Sequence, residues 1–319
     1  MKPAPAVAEV RVAVRDLLAE AHPVDRIAVA VSGGADSLAL AAAAQHVGAK
    51  MDLRVDGLIV DHGLQEGSAS TAAWAADQLT ALGLADVRVL RVVVDGPGGV
   101  EAAARRARYT ALREAAGDTW VFLGHTRDDQ AETVLLGLGR GSGPRSIAGM
   151  RPLDHPWARP LLGLARTTTV AACAALGLKP WQDPHNLDPR FTRVRLRTEV
   201  LPLLEDVLQG GVAAALARTG AQLRDDLAAL DELATDAYQR AAGGDGLAVS
   251  ELTPLPAAVR RRVLRTWLIK AGVAELTDAH LRAVDELISG WHGQRGIGLP
   301  GGLVARRAHG RLSCEGPET

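Results

Sequence analysis

The chain has 319 residues, 47% of them hydrophobic and 23% charged, with a formal net charge of −1. That length allows two domains and a small third, and the composition is that of an ordinary globular protein rather than a disordered one. No apolar run approaches a membrane span, and Cys173 and Cys314 are the only cysteines and form no C-x-x-C pair, which argues against a disulfide framework and makes a reducing cytoplasm the expected setting.

Aromatic residues are only 3% of the chain, so the core must be mostly Ala, Leu and Val. The first segment carries Glu9, Arg11, Arg15 and Asp16 within its apolar periodicity and reads as a helix, not a signal peptide. Strand signals follow at Ile27–Val31, Leu58–Asp61, Val87–Val94 and Trp120–Gly124. Helical patterns alternate with them at 37–46, 68–82, 99–116 and 127–138. Such alternation predicts a doubly wound α/β fold with a parallel sheet, five-stranded in the form expected here. Its ligands should bind at the carboxyl ends of the strands. The loop at 32–37, Asp61-His62 and Gly124-His125 all fall at such ends, so one crevice should gather them.

The first strand runs into Ser32-Gly33-Gly34-Ala35-Asp36-Ser37 and then directly into a helix. Adjacent glycines let the backbone turn tightly and approach a ligand closely. The free N–H groups of the helix start and its dipole favour an anion there, and Ser32 and Ser37 add hydroxyl donors. Asp36 would repel a polyphosphate unless a cation lies between them, which fits Mg²⁺ held by a carboxylate and substrate phosphates. The loop is neither a Walker loop nor a Gly-x-Gly-x-x-Gly fingerprint. A strand, two glycines and a helix alone could serve only packing.

After Gly139 the alternation ends. Residues 139–165 are rich in Gly, Pro and Arg, a helix is expected near 166–176, and Lys179–Arg190 is irregular. Helical pattern resumes near Thr192–Leu208 and then over 212–242, and Gly243–Gly246 reads as a linker. The remainder predicts helices near 256–271 and 277–290 and a terminal strand–turn pattern. The expected division is a catalytic domain over 1–210, a long helix and linker over 211–245, and a small α+β domain over 246–319.

The densest chemistry lies in His125-Thr-Arg-Asp-Asp-Gln-Ala-Glu-Thr133. Asp129 and Glu132 are three apart on a helix and share a face. Acidic residues in a first turn complement the dipole, which accounts for Asp128 but not for Glu132 or His125. A carboxylate pair at the mouth of a nucleotide crevice suits a cationic amine or a second cation. Arginines cluster at 105–113, 190–197, 260–265 and 306–311. Each could be a solvated face, yet four clusters in a near-neutral chain point to a polyanionic partner.

The Ser-Gly-Gly-x-Asp-Ser loop resembles the pyrophosphate loop of the ATP pyrophosphatases. His125-x-x-Asp-Asp-Gln-x-Glu-Thr, Leu138–Gly143, Val60–Leu64, Glu101-Ala-Ala-Ala-Arg105 through Arg108-Tyr109, Arg159-Pro-Leu-Leu162 and Asp183–Leu203 are together similar to the tRNA(Ile)-lysidine synthetase family over about residues 26–205. Thr126 stands where that family often has a second histidine, Val194 where it has Asn, and His185 where it has Ser or Thr.

The resemblance implies that ATP adenylylates C2–O of the wobble cytidine of a CAU-anticodon isoleucine tRNA, releasing pyrophosphate. The ε-amine of free L-lysine then attacks C2 and expels AMP. By the same resemblance Ser32, Gly33, Gly34, Ala35, Asp36, Ser37, Asp61 and His62 bind ATP, and Asp36 holds Mg²⁺. Asp129 and Glu132 serve the lysine amine beside His125. Arg105, Arg108, Arg140, Arg193 and Arg195 contact phosphates of tRNA or ATP. A homodimer is the expected assembly. An amide-forming synthetase of a small metabolite and a tRNA thiolation enzyme are the competing readings; the cysteines are a poor set for the latter.

Overall fold

The structure, a computed structural model, describes residues 2–21, 24–64, 67–97, 99–141, 143–181, 188–244 and 246–316. The chain forms two compact units, residues 1–221 and 222–319.

Unit 1 is built on a six-stranded sheet of order β3-β2-β1-β4-β6-β5. The strands are β1 (Arg26–Ala30), β2 (Arg54–Asp61), β3 (Asp86–Arg91), β4 (Trp120–Leu123), β5 (Leu153–Asp154) and β6 (Trp157–Ala158). The first four and β6 are parallel, five strands in all, and β5 closes the edge as a short antiparallel partner of β6. The intervening helices are α1 (Pro5–Glu20), α2 (Ala35–Met51), α3 (Ser68–Ala81), α4 (Gly99–Ala116), α5 (Arg127–Arg140), α6 (Pro144–Ile147) and α7 (Arg166–Ala175). Beyond them lie α8 (Thr192–Arg195), a π turn at Leu196–Val200, and α9 (Leu201–Val207).

Strand β1 shows why helices cover both faces. Successive strand residues point to opposite sides. Ile27 and Val29 join one core with Val7, Val10 and Val14 of α1, Leu38 and Leu40 of α2, Leu79 of α3 and Cys173 of α7. Ala28 joins the other with Leu58, Leu112 of α4, Val121 and Trp157. Helix α1 presents Val7, Val10, Val14, Leu17 and Leu18 at helical spacing, and all are buried. Helix α2 is buried around most of its girth, and alanines at 39, 41, 43 and 44 let it fit between neighbours.

The strand order reverses direction between β1 and β4, so the switch point lies between them. Gly124, just after β4, fixes how close the two strand ends come. A Cβ there would lie 3.0 Å from Asp36 C and Ser37 N, so only glycine lets the β4 end lie against the first turn of α2. Strand β3 ends at Arg91 rather than Val94: Val92 N–H still donates to Asp61 O at 3.0 Å, and the chain then leaves the sheet edge.

Helix α10 (Val212–Ala241) spans the boundary between the units. Unit 2 holds a five-stranded sheet of order β7-β8-β11-β10-β9, antiparallel throughout. Its elements are β7 (Ala242–Gly243), β8 (Gly246–Ala248), α11 (Val249–Leu252), α12 (Ala257–Lys270), α13 (Asp278–Ser289), β9 (Ile297–Gly298), β10 (Val304–Ala308) and β11 (Arg311–Glu315). The Gly243–Gly246 stretch, expected as a linker, is thus a hairpin whose β7 and β8 belong to the sheet, Asp245 lying outside the described residues. Glycine has a packing reason there, because a Cβ on Gly246 would strike Leu312 O at 1.8 Å. The core of the unit gathers Ala234, Ala237 and Ala241 of α10 with Leu264, Leu268, Leu281, Val284, Leu287 and Leu312. Asp285 is buried among them and is paired with Arg260 and, at 3.1 Å, with Arg261. Among the described residues no single helix is long and apolar enough to cross a membrane.

Candidate active site

The loop after β1 is held in shape by its own serines. Ser32 N–H donates to Ser37 Oγ at 3.2 Å, and Ser37 Oγ donates to Gly34 O at 2.9 Å. Gly33 has φ +85, and a Cβ there would meet Trp74 at 3.3 Å. Gly34 is the N-cap of α2 with no side-chain cap, so the N–H groups of the first turn stay available to an anion. Trp181 N–H donates to Gly33 O at 2.9 Å and straps the segment after α7 against the loop. Asp61 ends β2, is buried, and accepts from Gly63 N–H at 3.0 Å, which fixes the turn that carries His62. An open cavity of about 340 Å³ lies beside it, lined by Asp61, Ala69, Ala73, Val89 and Arg91.

Across the switch point, α5 starts at Thr126, which is fully buried. Asp129 Oδ2 accepts from Thr126 N–H at 2.8 Å and from Thr126 Oγ at 2.9 Å, so the residue in the usual place of a second histidine orients the carboxylate of the pair. Asp128 turns away and accepts from Arg166 N–H at 2.9 Å, at the first residue of α7. Glu132 has no exposure; its Oε1 takes Arg197 at 2.7 Å and its Oε2 has no partner among the described residues.

Two arginines absent from the expected site stand at its centre. Arg166 bridges Asp36 (3.1 Å) and Asp129 (2.9 Å), and Arg197 bridges Asp129 (3.3 Å) and Glu132 (2.7 Å). Thr169 Oγ donates to the other oxygen of Asp36. A local signal for Arg166 exists: a cation at the first residue of a helix opposes the dipole and needs a tertiary partner. For Arg197 the cluster at 190–197 was visible, but not which member turned inward.

Burial tunes these groups. It raises Asp36 above the ordinary carboxylate value, with Arg166 and Thr169 opposing. It raises Glu132 as well, against Arg197. For Asp129 burial acts the same way but is outweighed by Arg166 and by the hydrogen bonds from the Thr126 N–H and hydroxyl, so this carboxyl is lowered. Burial pushes His125 down to about 3, Asp129 opposing and Arg108 and Arg159 reinforcing, and its Nδ1 has no partner among the described residues. His62 is lowered by burial and by Arg108, against Asp61. Both imidazoles are neutral at pH 7.

Arg108 thus acts on the ends of both β2 and β4, and among the described residues it makes no ion pair, only a contact 5.6 Å from the Tyr109 ring. Arg105 lies 4.7 Å from the same ring. Arg193 reaches Glu101 at 3.5 Å. Arg195 faces outward and pairs with Glu199 at 2.9 Å, and Arg140 is exposed at the end of α5, so the structure does not bring these two to the acidic pair. Val194 is buried. Asp183 and His185 lie outside the described residues.

Among the described residues no group of three or more His, Cys, Asp or Glu could hold a metal by itself. A single hard carboxylate, Asp36, at the mouth of an anion-binding loop is nonetheless the donor set for a Mg²⁺ that takes its other ligands from phosphates, and the residues fit that group.

Residues 8–204 match a family model described as a PP-loop domain, and residues 247–313 match a TilS substrate binding domain. A tRNA(Ile)-lysidine synthase of Rhodococcus erythropolis is 56% identical over 313 residues, covering 97% of this chain and 95% of that one. Its counterpart in Nocardia farcinica is 57% identical over 310 residues (95% and 96%), and that of Mycobacterium tuberculosis H37Rv is 56% identical over 308 (95% and 93%). Among solved structures, the U34-tRNA thiolase NcsA of Methanococcus maripaludis superposes with a TM-score of 0.57 at 18% identity, over 68% of this chain and 79% of that one, which is a likeness of fold.

Proposed function

Because the chain belongs to the tRNA(Ile)-lysidine synthase family, we propose that it ligates free L-lysine to C2 of the wobble cytidine in CAU-anticodon tRNA(Ile) at the expense of ATP. The observation that carries this reading is the meeting, across one switch point, of an anion-binding loop and a carboxylate pair whose buried member, Glu132, has an oxygen unpartnered among the described residues.

In the first step C2–O of the cytidine attacks the α-phosphorus of ATP, the bond to the β-phosphate breaks, and pyrophosphate leaves. Ser32, Ser37 and the N–H groups of Ala35 to Ser37 stabilise the charge that develops on it. Asp36 would hold Mg²⁺, which when bound neutralises phosphate charge. The cavity beside Asp61 has the size for the nucleoside of ATP. Among the described residues Arg108 has no carboxylate to neutralise it, and it suits a phosphate.

In the second step the lysine ε-amine attacks C2 and AMP departs, a far better leaving group than an oxide. Glu132 and Asp129 hold the ammonium and accept its proton; burial, by raising Glu132, makes it a better base than an exposed carboxylate. Neutral His125 lies beside them without adding positive charge to the amine site. The arginines of unit 2 that face solvent, in the region matched as a substrate-binding domain, serve the tRNA body.

Thiolation is not favoured. Cys173 is buried, 3.3 Å from Ala35 O, with its thiol pushed up to about 11, and Cys314 belongs to β11 of the other unit. Incubation with ATP, labelled lysine and CAU-anticodon tRNA, followed by nucleoside analysis, tests the proposal. Label in the wobble nucleoside is expected; its absence there overturns the reading.

A further inference from the structure

Five charged side chains alternate in sign from the phosphate loop into α5: Asp36, Arg166, Asp129, Arg197 and Glu132. Arg166 stands 3.1 Å from Asp36 and 2.9 Å from Asp129, and Arg197 stands 3.3 Å from the same Asp129 oxygen and 2.7 Å from Glu132. Three carboxylates against two guanidiniums leave one negative charge uncompensated. The unmatched oxygen is at the far end, where Glu132 Oε2 is buried without a partner among the described residues. Each arginine is shared between two carboxylates, so what one gains the other loses. Arg166 also sits where its helix dipole disfavours it, at the first residue of α7.

We propose that Arg166 is a positioning residue that makes amine binding at Glu132 depend on occupancy of the loop at 32–37; this rests on the reading of that loop as the ATP site and of Asp129 and Glu132 as the lysine site. A nucleotide polyphosphate at the loop competes for the guanidinium and draws it off Asp129. Asp129 then takes a larger share of Arg197, and Glu132 presents both oxygens to the incoming ammonium. The acidic pair thus sheds positive charge when the nucleotide arrives. By reciprocity, lysine tightens nucleotide binding by the same factor. A bare staple between α7 and α5 would produce no such dependence.

The test is calorimetric titration of the full chain with free L-lysine, with and without saturating Mg–ATP and without tRNA, so that no ligation occurs. In the wild type Mg–ATP should tighten lysine binding by about 5- to 150-fold, the usual span of such coupling. In Arg166→Gln both ligands should still bind and the factor should fall towards one. Arg166→Lys, which keeps a charge but cannot span both carboxylates, should retain only part of it. Equal lysine affinity with and without Mg–ATP in the wild type overturns the proposal. So does an unchanged factor in Arg166→Gln. If lysine or Mg–ATP fails to bind the wild type at all, the underlying reading of the site falls, and this proposal with it.

Discussion

Both units hold an arginine–carboxylate cluster around a buried carboxylate, Asp285 in one and Glu132 in the other, and the two differ in whether every partner is found. In unit 2, Asp285 accepts from Arg260 through both oxygens and from Arg261 at 3.1 Å, and Arg260 spends a further N–H on Leu255 O at 2.9 Å. Every buried group there has a partner. In unit 1 the cluster of Asp36, Asp129 and Glu132 also holds two arginines, yet among the described residues Glu132 Oε2 and His125 Nδ1 are left alone. A buried polar atom without a partner costs free energy. The fold tolerates that cost at the crevice and nowhere in the other cluster. A satisfied cluster holds a structure together; the one left unsatisfied has bonding capacity that the proposed substrate can use.

The sharpest way to break this comparison is to remove the acid from each cluster. Asp285→Ala strands Arg260, whose side chain is only 10% exposed, and should lower the stability of unit 2 by about 3–5 kcal/mol, read from denaturant unfolding. ATP binding by unit 1 should persist. Glu132→Gln should act the other way round. Arg197 keeps Asp129, so the melting temperature should move less than in Asp285→Ala. Meanwhile kcat/KM for lysine should fall by about 10- to 100-fold, the worth of a hydrogen bond to a charged group. Equal stability losses in the two variants would erase the distinction.

Acidification sharpens the same contrast. The unfolded chain takes up a proton at His125 near pH 6.5, whereas the folded chain does so only at about 3. Between those values unfolding binds a proton, so stability falls as pH falls. His125→Gln should remove one proton's worth of that slope, measured as unfolding free energy against pH. The smallest effect is expected at Arg195, which pairs with Glu199 in the open. Arg195→Ala should change stability by no more than about 0.5 kcal/mol. If it meets a tRNA phosphate, the salt dependence of tRNA binding should lose about one unit of slope.

Much of this was legible in the order of residues. The apolar run before Ser32, the alternation of strands and helices, and the placing of Asp61 and Gly124 at strand ends follow from local patterns of period two and 3.6. The partners of Arg166 do not. Asp129 lies 37 residues away and Asp36 130 residues away, and no local periodicity encodes that meeting. Gly243–Gly246 misled for a related reason: Gly246, read as part of a flexible join, is there because the facing strand leaves no room for a Cβ. Arg195 and Arg197 are two apart in sequence, and only the packing of the turn at Leu196–Val200 decides that the second faces inward.

Gly124 has one more consequence. With no side chain between the β4 end and the first turn of α2, backbone meets backbone, and the two reaction stages share a datum that no rotamer can alter. Any larger residue would push the first turn of α2 and the end of β4 apart by a few tenths of an ångström, and with them the loop and the acidic pair that the proposed reaction must align. Such an enzyme would still bind all three substrates and would fail at alignment, with pyrophosphate release persisting and transfer to lysine lagging behind it.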